Sequence, residues 1–285
     1  MKKITILFVA LVSFIAASCK SNSDTDLNQV ITVNNAEEFI KALGNDRTII
    51  LNNNEGIYWL TEAIDAAVEA NLLKEYSEIK CLDENNRYTI PTDFSGILAY
   101  GEELWFQNMN NLTIRGSDEE NHTKIYIAPN YADVLLFIEC TGITLENLEL
   151  GHYPEEGECD AAVLGLIDCD KVNINNCELF GCGTTGIRAI RSKNVKVNNS
   201  TVRDCSESNV DIRLCENIRF YNCKLKSEND ILCSDSKNIS FEKCLVPVLT
   251  SADASFIECE SFDWMEGDYV WIDHDFEEEE EEEGE

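Results

Sequence analysis

From residue 104 onward the chain repeats itself, and this repeat limits the fold more than any local preference does. The copies in register are 104–114, 135–150, 164–179, 187–202, 210–225 and 231–246, with a partial copy starting at Ala254. Their anchors Phe106, Phe137, Leu166, Ala189, Ile212, Cys233 and Phe256 are spaced 31, 29, 23, 23, 21 and 23 residues apart. Within a unit, apolar or small residues fall at offsets 0, 2, 5, 8, 10, 13 and 15. In the fourth unit these are Ile187, Ala189, Ser192, Val195, Val197, Ser200 and Val202. Steps of two read as short strands with one buried face, and steps of three as the turns between them. Helical solenoids need longer helix-forming stretches, whereas these units are rich in Val, Ile, Asn and Thr. The pattern predicts an all-β, single-stranded parallel β-helix with three short strands per turn.

One column sharpens this. Asn147, Asn176, Asn199 and Asn222 occupy the same turn in successive units, and Lys243 ends the row. Asparagine tolerates left-handed turn conformations, and stacked copies can bond side chain to side chain. A shorter row, Asn194, Asn217 and Asn238, falls at the preceding corner. The long row resembles the asparagine ladder of the right-handed parallel β-helix proteins, the pectate-lyase-like superfamily, over roughly residues 104–264. The resemblance implies three sheets, PB1, PB2 and PB3, with the ladder between PB2 and PB3. It also implies a substrate groove along PB1. It does not imply one chemistry, because this scaffold hosts several.

The 13 cysteines lack CxxC spacing, which argues against a zinc or redox motif. Cys140, Cys169, Ser192, Cys215, Ser236 and Cys259 share one inward column; Leu148, Cys177, Ser200, Cys223 and Cys244 share another. Small apolar filling of a narrow coil is the expected role. If a disulfide forms, it is expected at Cys182 and Cys205, with Cys159 in a nearby loop.

The ends of the coil need closing, since open strand edges invite pairing with other chains. Residues 36–43 (AEEFIKAL) read as a short N-terminal capping helix with Asn34 or Asn35 as N-cap, followed by a strand at 48–51. A second helix, from about Thr61 to Lys74, is expected to bury Ile64, Val68 and Leu72 within a helical insertion. Residues 269–272 read as a closing strand, and the glutamates at 277–283 as an extended solubilising tail.

Lys2 and Lys3 precede an apolar run over 4–17, which suits a signal peptide and is too short to span a bilayer. Ile15-Ala16-Ala17-Ser18-Cys19 resembles a bacterial lipobox, with Ile15 or Ala16 where leucine is usual. That resemblance implies lipidation at Cys19; the alternative is an ordinary secretory signal with an incidental cysteine. The expected organisation is signal peptide 1–18, tether 19–30, N-terminal cap and first rungs 31–103, β-helix 104–265, and cap strand with acidic tail 266–285. The address expected is a membrane-anchored lipoprotein outside the cytoplasm, at the outer membrane or cell surface, and a monomer. A formal net charge of −32 argues against nucleic acid as a partner and against polyanionic substrates unless calcium bridges them.

On PB1, offsets 1 and 3 point outward. They carry Leu136 and Ile138, Gly165 and Ile167, Arg188 and Ile190, Asp211 and Arg213, and Leu232 and Ser234. The longer second spacing places a loop, 151–162, beside this face, with His152, Tyr153, Glu155, Glu156, Glu158 and Asp160. The catalytic candidates are His152, Asp160, Arg188, Asp211 and Arg213. Arginine can neutralise a uronate or assist proton abstraction, His152 or Tyr153 can act as base or acid, and Asp160 with Asp211 can form a carboxylate pair. Tyr153, Arg191 and Ile190 are the substrate-binding candidates. No cofactor is expected, although Asp160 and the loop glutamates are oxygen ligands of the kind calcium takes. The competing reading is that these charges only solvate the face, with Arg188 and Asp211 paired across rungs. The polygalacturonase blocks are missing: Gly151-His152 is not followed by glycine, nor Arg188-Ala189-Ile190 by lysine. Three functions stay open. They are carbohydrate binding on PB1, a divergent polysaccharide lyase or glycosidase, and a structural or adhesive surface role.

Overall fold

The computed structural model describes residues 29–53, 56–82, 88–153, 161–181, 185–227, 231–247 and 253–261. Cys19, Asp160, Cys159, Cys182, the loop glutamates and the C-terminal cap and tail lie outside them. The strands form three long sheets of nine, eight and eight strands, together with a two-stranded pair. From Glu103 to Val246 each turn of the coil visits the three long sheets once. One turn is Thr185–Ile190, Lys193–Asn198 and Thr201–Val202; the next is Ser208–Arg213, Glu216–Tyr221 and Lys224–Leu225. They pair in parallel register, Ala189 with Ile212, Val195 with Ile218 and Val202 with Leu225. The asparagine ladder separates the nine-stranded sheet from one eight-stranded sheet, which makes these PB2 and PB3. The other eight-stranded sheet is PB1.

Alternation fixes which residues form the core. Phe106, Phe137, Leu166, Ala189 and Ile212 stack inside PB1, where Phe106 and Phe137 lie 4.5 Å apart. Phe220, Phe241 and Phe256 stack inside PB2 at 4.7 and 5.2 Å. Full burial of each such side chain contributes roughly 1.5–3 kcal/mol. Ladder residues Asn147, Asn176, Asn199 and Asn222 hold φ between 50° and 57°, and Lys243 ends the row at 55°. Asn176 donates to Asn147 Oδ1 at 2.9 Å, and Asn222 to Asn199 Oδ1 at 2.8 Å. The second row repeats this, Asn217 donating to Asn194 at 3.2 Å and Asn238 to Asn217 at 3.0 Å.

The partial copy at Ala254 lies in a different sheet from the one its spacing predicts. Ala254–Ile257 pairs with PB2, Phe256 opposite Phe241 rather than Cys233. Glu260 then pairs with Leu245, so Cys259 follows Cys244 in the second column. The columns also do more than fill space. The Cys169 N–H donates to Ser192 Oγ at 3.0 Å, Ser192 N–H to Cys215 Sγ at 3.4 Å, and Cys215 N–H to Ser236 Oγ at 3.0 Å. Each small polar side chain satisfies a buried turn amide of the rung before it. Cys140, Cys169, Cys177, Cys215, Cys223 and Cys244 are thiols.

The capping helix is Ala36–Ala42, with Asn35 Oδ1 accepting the Glu38 N–H at 2.9 Å. The strand after it is Arg47–Leu51. The second helix is shorter than predicted, Leu60–Glu69, and buries Leu60, Ala63, Ile64 and Ala67. Asn71 turns the chain at φ 57°, leaving Leu72 54% exposed. Thr61 does not cap this helix; its hydroxyl accepts the Ala128 N–H at 2.9 Å. The chain then adds Lys74–Glu75 to PB1 beside Gly96–Tyr100, which returns antiparallel to Glu103–Gln107. The insertion thus stands at the N-terminal end of the PB1 face. No helix among the described residues is long and apolar enough to cross a membrane.

Candidate functional site

The outer face of PB1 carries two in-register rows. One is Trp105, Leu136, Gly165, Arg188, Asp211 and Leu232; the other is Gln107, Ile138, Ile167, Ile190, Arg213 and Ser234. Arg188, Ile190, Asp211 and Arg213 therefore share this face, with Arg191 at its turn. The arginines are engaged with carboxylates. Arg213 Nε lies 2.7 Å from Asp211 Oδ1, and Arg191 grips Asp168 through two bonds of 2.8 and 2.6 Å. Arg188 Nη1 faces Asp133 Oδ1 at 3.8 Å.

His152 and Tyr153 are not part of this cluster. His152 ends the PB3 strand Leu148–His152 and is fully buried, with Nε2 2.7 Å from the Ala132 carbonyl. Burial holds its pKa below the ordinary histidine value, so the ring is neutral and Nε2 is the proton-bearing nitrogen that donates to Ala132. A neutral imidazole sealed from solvent is no catalytic base for the PB1 face. Tyr153 lies edge-on to Trp59 at 5.6 Å, beside the PB3 aromatics Tyr126 and Phe180. The strand takes in Gly151 and His152, the first two residues of the segment read as a loop.

Three residues that the sequence reading passed over complete the face. Trp105 heads the first row, and its indole N–H donates to Glu103 Oε2 at 2.6 Å. Glu103 Oε1 accepts the Asp133 N–H at 2.9 Å, and Asp133 Oδ1 accepts the Ala162 N–H at 2.7 Å. The peptide between Ala132 and Asp133 is thus held on both sides, its carbonyl by His152 and its N–H by Glu103. Gly165 makes room for the result: a Cβ there would lie 2.2 Å from Asp133 Oδ2. Both carboxyls are almost fully buried, Glu103 at 7% and Asp133 at 5% exposure. Burial, reinforced by Asp133, pushes the Glu103 pKa up to about 7. Burial raises Asp133 to about 6, against the opposing pull of Arg188. Continuing the outward row one unit back would have found Trp105 and, at the same parity, Glu103.

Beside them stands an aromatic platform. Trp105 and Tyr100 stack at 4.9 Å, and Tyr76 meets them at 5.5 and 5.1 Å. Tyr100 is 47% exposed. The face thus offers flat apolar rings next to fixed hydrogen-bonding groups. Among the described residues no group of three or more His, Cys, Asp or Glu could hold a metal ion.

A family model described as "Right handed beta helix region" matches residues 159–262. With the sheets above, this makes the fold a right-handed parallel β-helix. Among solved structures, the chain is similar to a protein provisionally named a glycosyl hydrolase, from Parabacteroides merdae. The identity is 13% and the TM-score 0.41, over 81% of this chain and 95% of that one. It is also similar to the pectin methylesterase of Aspergillus niger, at 10% identity and TM-score 0.36, over 85% and 88% of the two chains. Comparison with curated proteins yields no matching relative.

Proposed function

We propose that the outer face of PB1 binds carbohydrate. One observation carries this reading. The Trp105, Tyr100 and Tyr76 platform continues directly into the row that holds Arg188 and Asp211, with Glu103 and Asp133 behind it. Sugar rings present apolar C–H faces to aromatic rings and hydroxyl groups to fixed polar partners, and sites of this kind combine both. The test is calorimetric titration of the full-length protein with a panel of oligosaccharides, repeated on Trp105→Ala. A tenfold or greater loss of affinity in the variant, equal to about 1.4 kcal/mol, is expected. Unchanged affinity would remove the platform from the site, and no binding across the panel would remove the reading.

A second reading, turnover by a glycosidase or lyase, is favoured by Glu103. A carboxyl that keeps its proton near neutral pH can serve as a general acid. New reducing ends or unsaturated products, lost in Glu103→Gln, would support it.

The amino-terminal signal and Cys19 carry a proposal of address: a lipid-anchored protein outside the cytoplasm. Cys19→Ala should shift the protein from the membrane fraction to the soluble one.

A further inference from the structure

We propose that the ligand of the PB1 face is an uncharged glycan rather than a polyuronate, an inference that rests on the carbohydrate-binding reading above. The arginines of this face are already matched. Arg213 is held by Asp211, Arg191 by Asp168, and Arg188 faces Asp133. An arginine recognises a carboxylate through charge and a two-pronged fork. Here Arg191 spends both prongs on Asp168, and Arg213 uses Nε on Asp211. At Arg191 a uronate would have to displace a covalently tethered carboxylate of equal charge; at Arg213 and Arg188 it would meet a cation whose charge a neighbouring carboxylate already offsets.

What remains on the PB1 rungs from Glu103 to Ser234 after this matching is acidic or neutral. Glu103, Glu139 and Asp235 stand along the same sheet and its turn. On the insertion, Lys74 and Lys80 flank Glu75 and Glu78, and Lys80 Nζ lies 5.9 Å from the centre of the Tyr76 ring. A run of uronates would bring several negative charges to such a face on a chain of net charge −32.

The polar groups that are present suit hydroxyls. Gln107 is 4% exposed; its amide N–H donates to Glu139 at 2.8 Å, which fixes the amide orientation. Its Oε1 is buried and has no partner among the described residues, and a hydroxyl hydrogen brought to it would pair where a carboxylate would be repelled.

The experiment uses one sugar backbone with its charge switched on and off. Oligogalacturonides of one length, as free acids and as full methyl esters, are titrated into the full-length protein with a calcium chelator present. Neutral glucan, xylan and galactan oligosaccharides are titrated in parallel. The best uncharged probe should bind at least tenfold more tightly than the free acid, with the gap narrowing as salt screens the charges. Equal or tighter binding of the free acid overturns this inference and leaves carbohydrate binding intact. No binding by any probe overturns both. Asp168→Asn and Asp211→Asn unmatch Arg191 and Arg213, and each should raise free-acid affinity threefold or more. Thermal melting checks that the variants fold. Absence of that gain in a folded Asp168→Asn protein would show that matched arginines are not what excludes uronates.

Discussion

The alternation of serine and cysteine inside the coil gives the most direct test of what holds the rungs together. Ser192 is 1% exposed. Its Oγ accepts the Cys169 N–H at 3.0 Å and lies 3.2 Å from the carbonyls of Leu166 and Ile190. If the column only fills space, Ser192→Ala removes a buried hydroxyl and is neutral or stabilising. If the column satisfies turn amides, the same change strands the Cys169 N–H in the core. Leaving a buried donor unpaired costs about 1–3 kcal/mol. Removing a desolvated hydroxyl offsets a little of that, so we expect a net loss of about 1–2 kcal/mol. For a domain of this size that is about 2–8 °C in Tm. Ser192→Cys keeps an acceptor of the kind that Cys215 supplies one rung on, and should recover most of the loss. Repeat folds can unfold in stages, so Tm alone is a weak measure. Hydrogen exchange at the Cys169 amide gives the local reading: faster in Ser192→Ala, near wild type in Ser192→Cys. A Ser192→Ala protein with wild-type Tm and a protected Cys169 amide would refute the hydrogen-bonding account.

Two further predictions concern the buried carboxyls. Glu103 moves from an ordinary 4.5 to about 7 on folding, so between those values the folded state binds more protons than the unfolded one. Stability therefore falls as pH rises through that window, by on the order of 3 kcal/mol, and Glu103→Gln should flatten the slope; matching Tm–pH curves for the two proteins would contradict the burial of an ionisable Glu103. Gly165→Ala would push a Cβ to 2.2 Å from Asp133 Oδ2 and 2.5 Å from Leu136 Cδ1, costing about 1–3 kcal/mol. The penalty should shrink in an Asp133→Ala background, and strict additivity in denaturant melts would rule out that clash.

Much of the coil was legible because its rule is local. A residue two positions on returns to the same face, and asparagines at four successive PB2–PB3 corners count the turns. From Leu164 to Val246 every predicted pairing register appears in the structure. The last unit went astray for a physical reason. Spacing along the chain measures path length, and 23 residues after Cys233 can end on any of three sheets. Side-chain identity was the better guide. Phe220 and Cys223, Phe241 and Cys244, and Phe256 and Cys259 share one three-residue step, and all three pairs sit where PB2 turns into PB3. The phenylalanines stack in PB2 and the cysteines take the turn amides. A repeated pair that serves two structural needs marks a position more firmly than a repeat length does.

The site was legible only where it lies on the regular rungs. Arg188, Ile190, Asp211 and Arg213 follow from parity alone, and each sits on the outer face of PB1. His152 was misplaced because the PB3 strand there has five residues, against two at Thr201–Val202. Its extra length carries the imidazole to the Ala132 carbonyl, in the segment that leads into the PB1 strand Leu135–Ile138. Asp133 follows no period at all, since it belongs to a turn and reaches the face only by folding back over the next rung. The trace it leaves in the sequence is indirect. Gly165 stands in an outward row whose neighbours are Leu136 and Arg188. A glycine costs strand stability at such a position. That cost is recovered only when another group occupies the space, and here Asp133 does, fixed by the Ala162 amide and facing Arg188. In the two outward rows of PB1, where every other position carries a side chain, the missing one points to where a loop residue has come in.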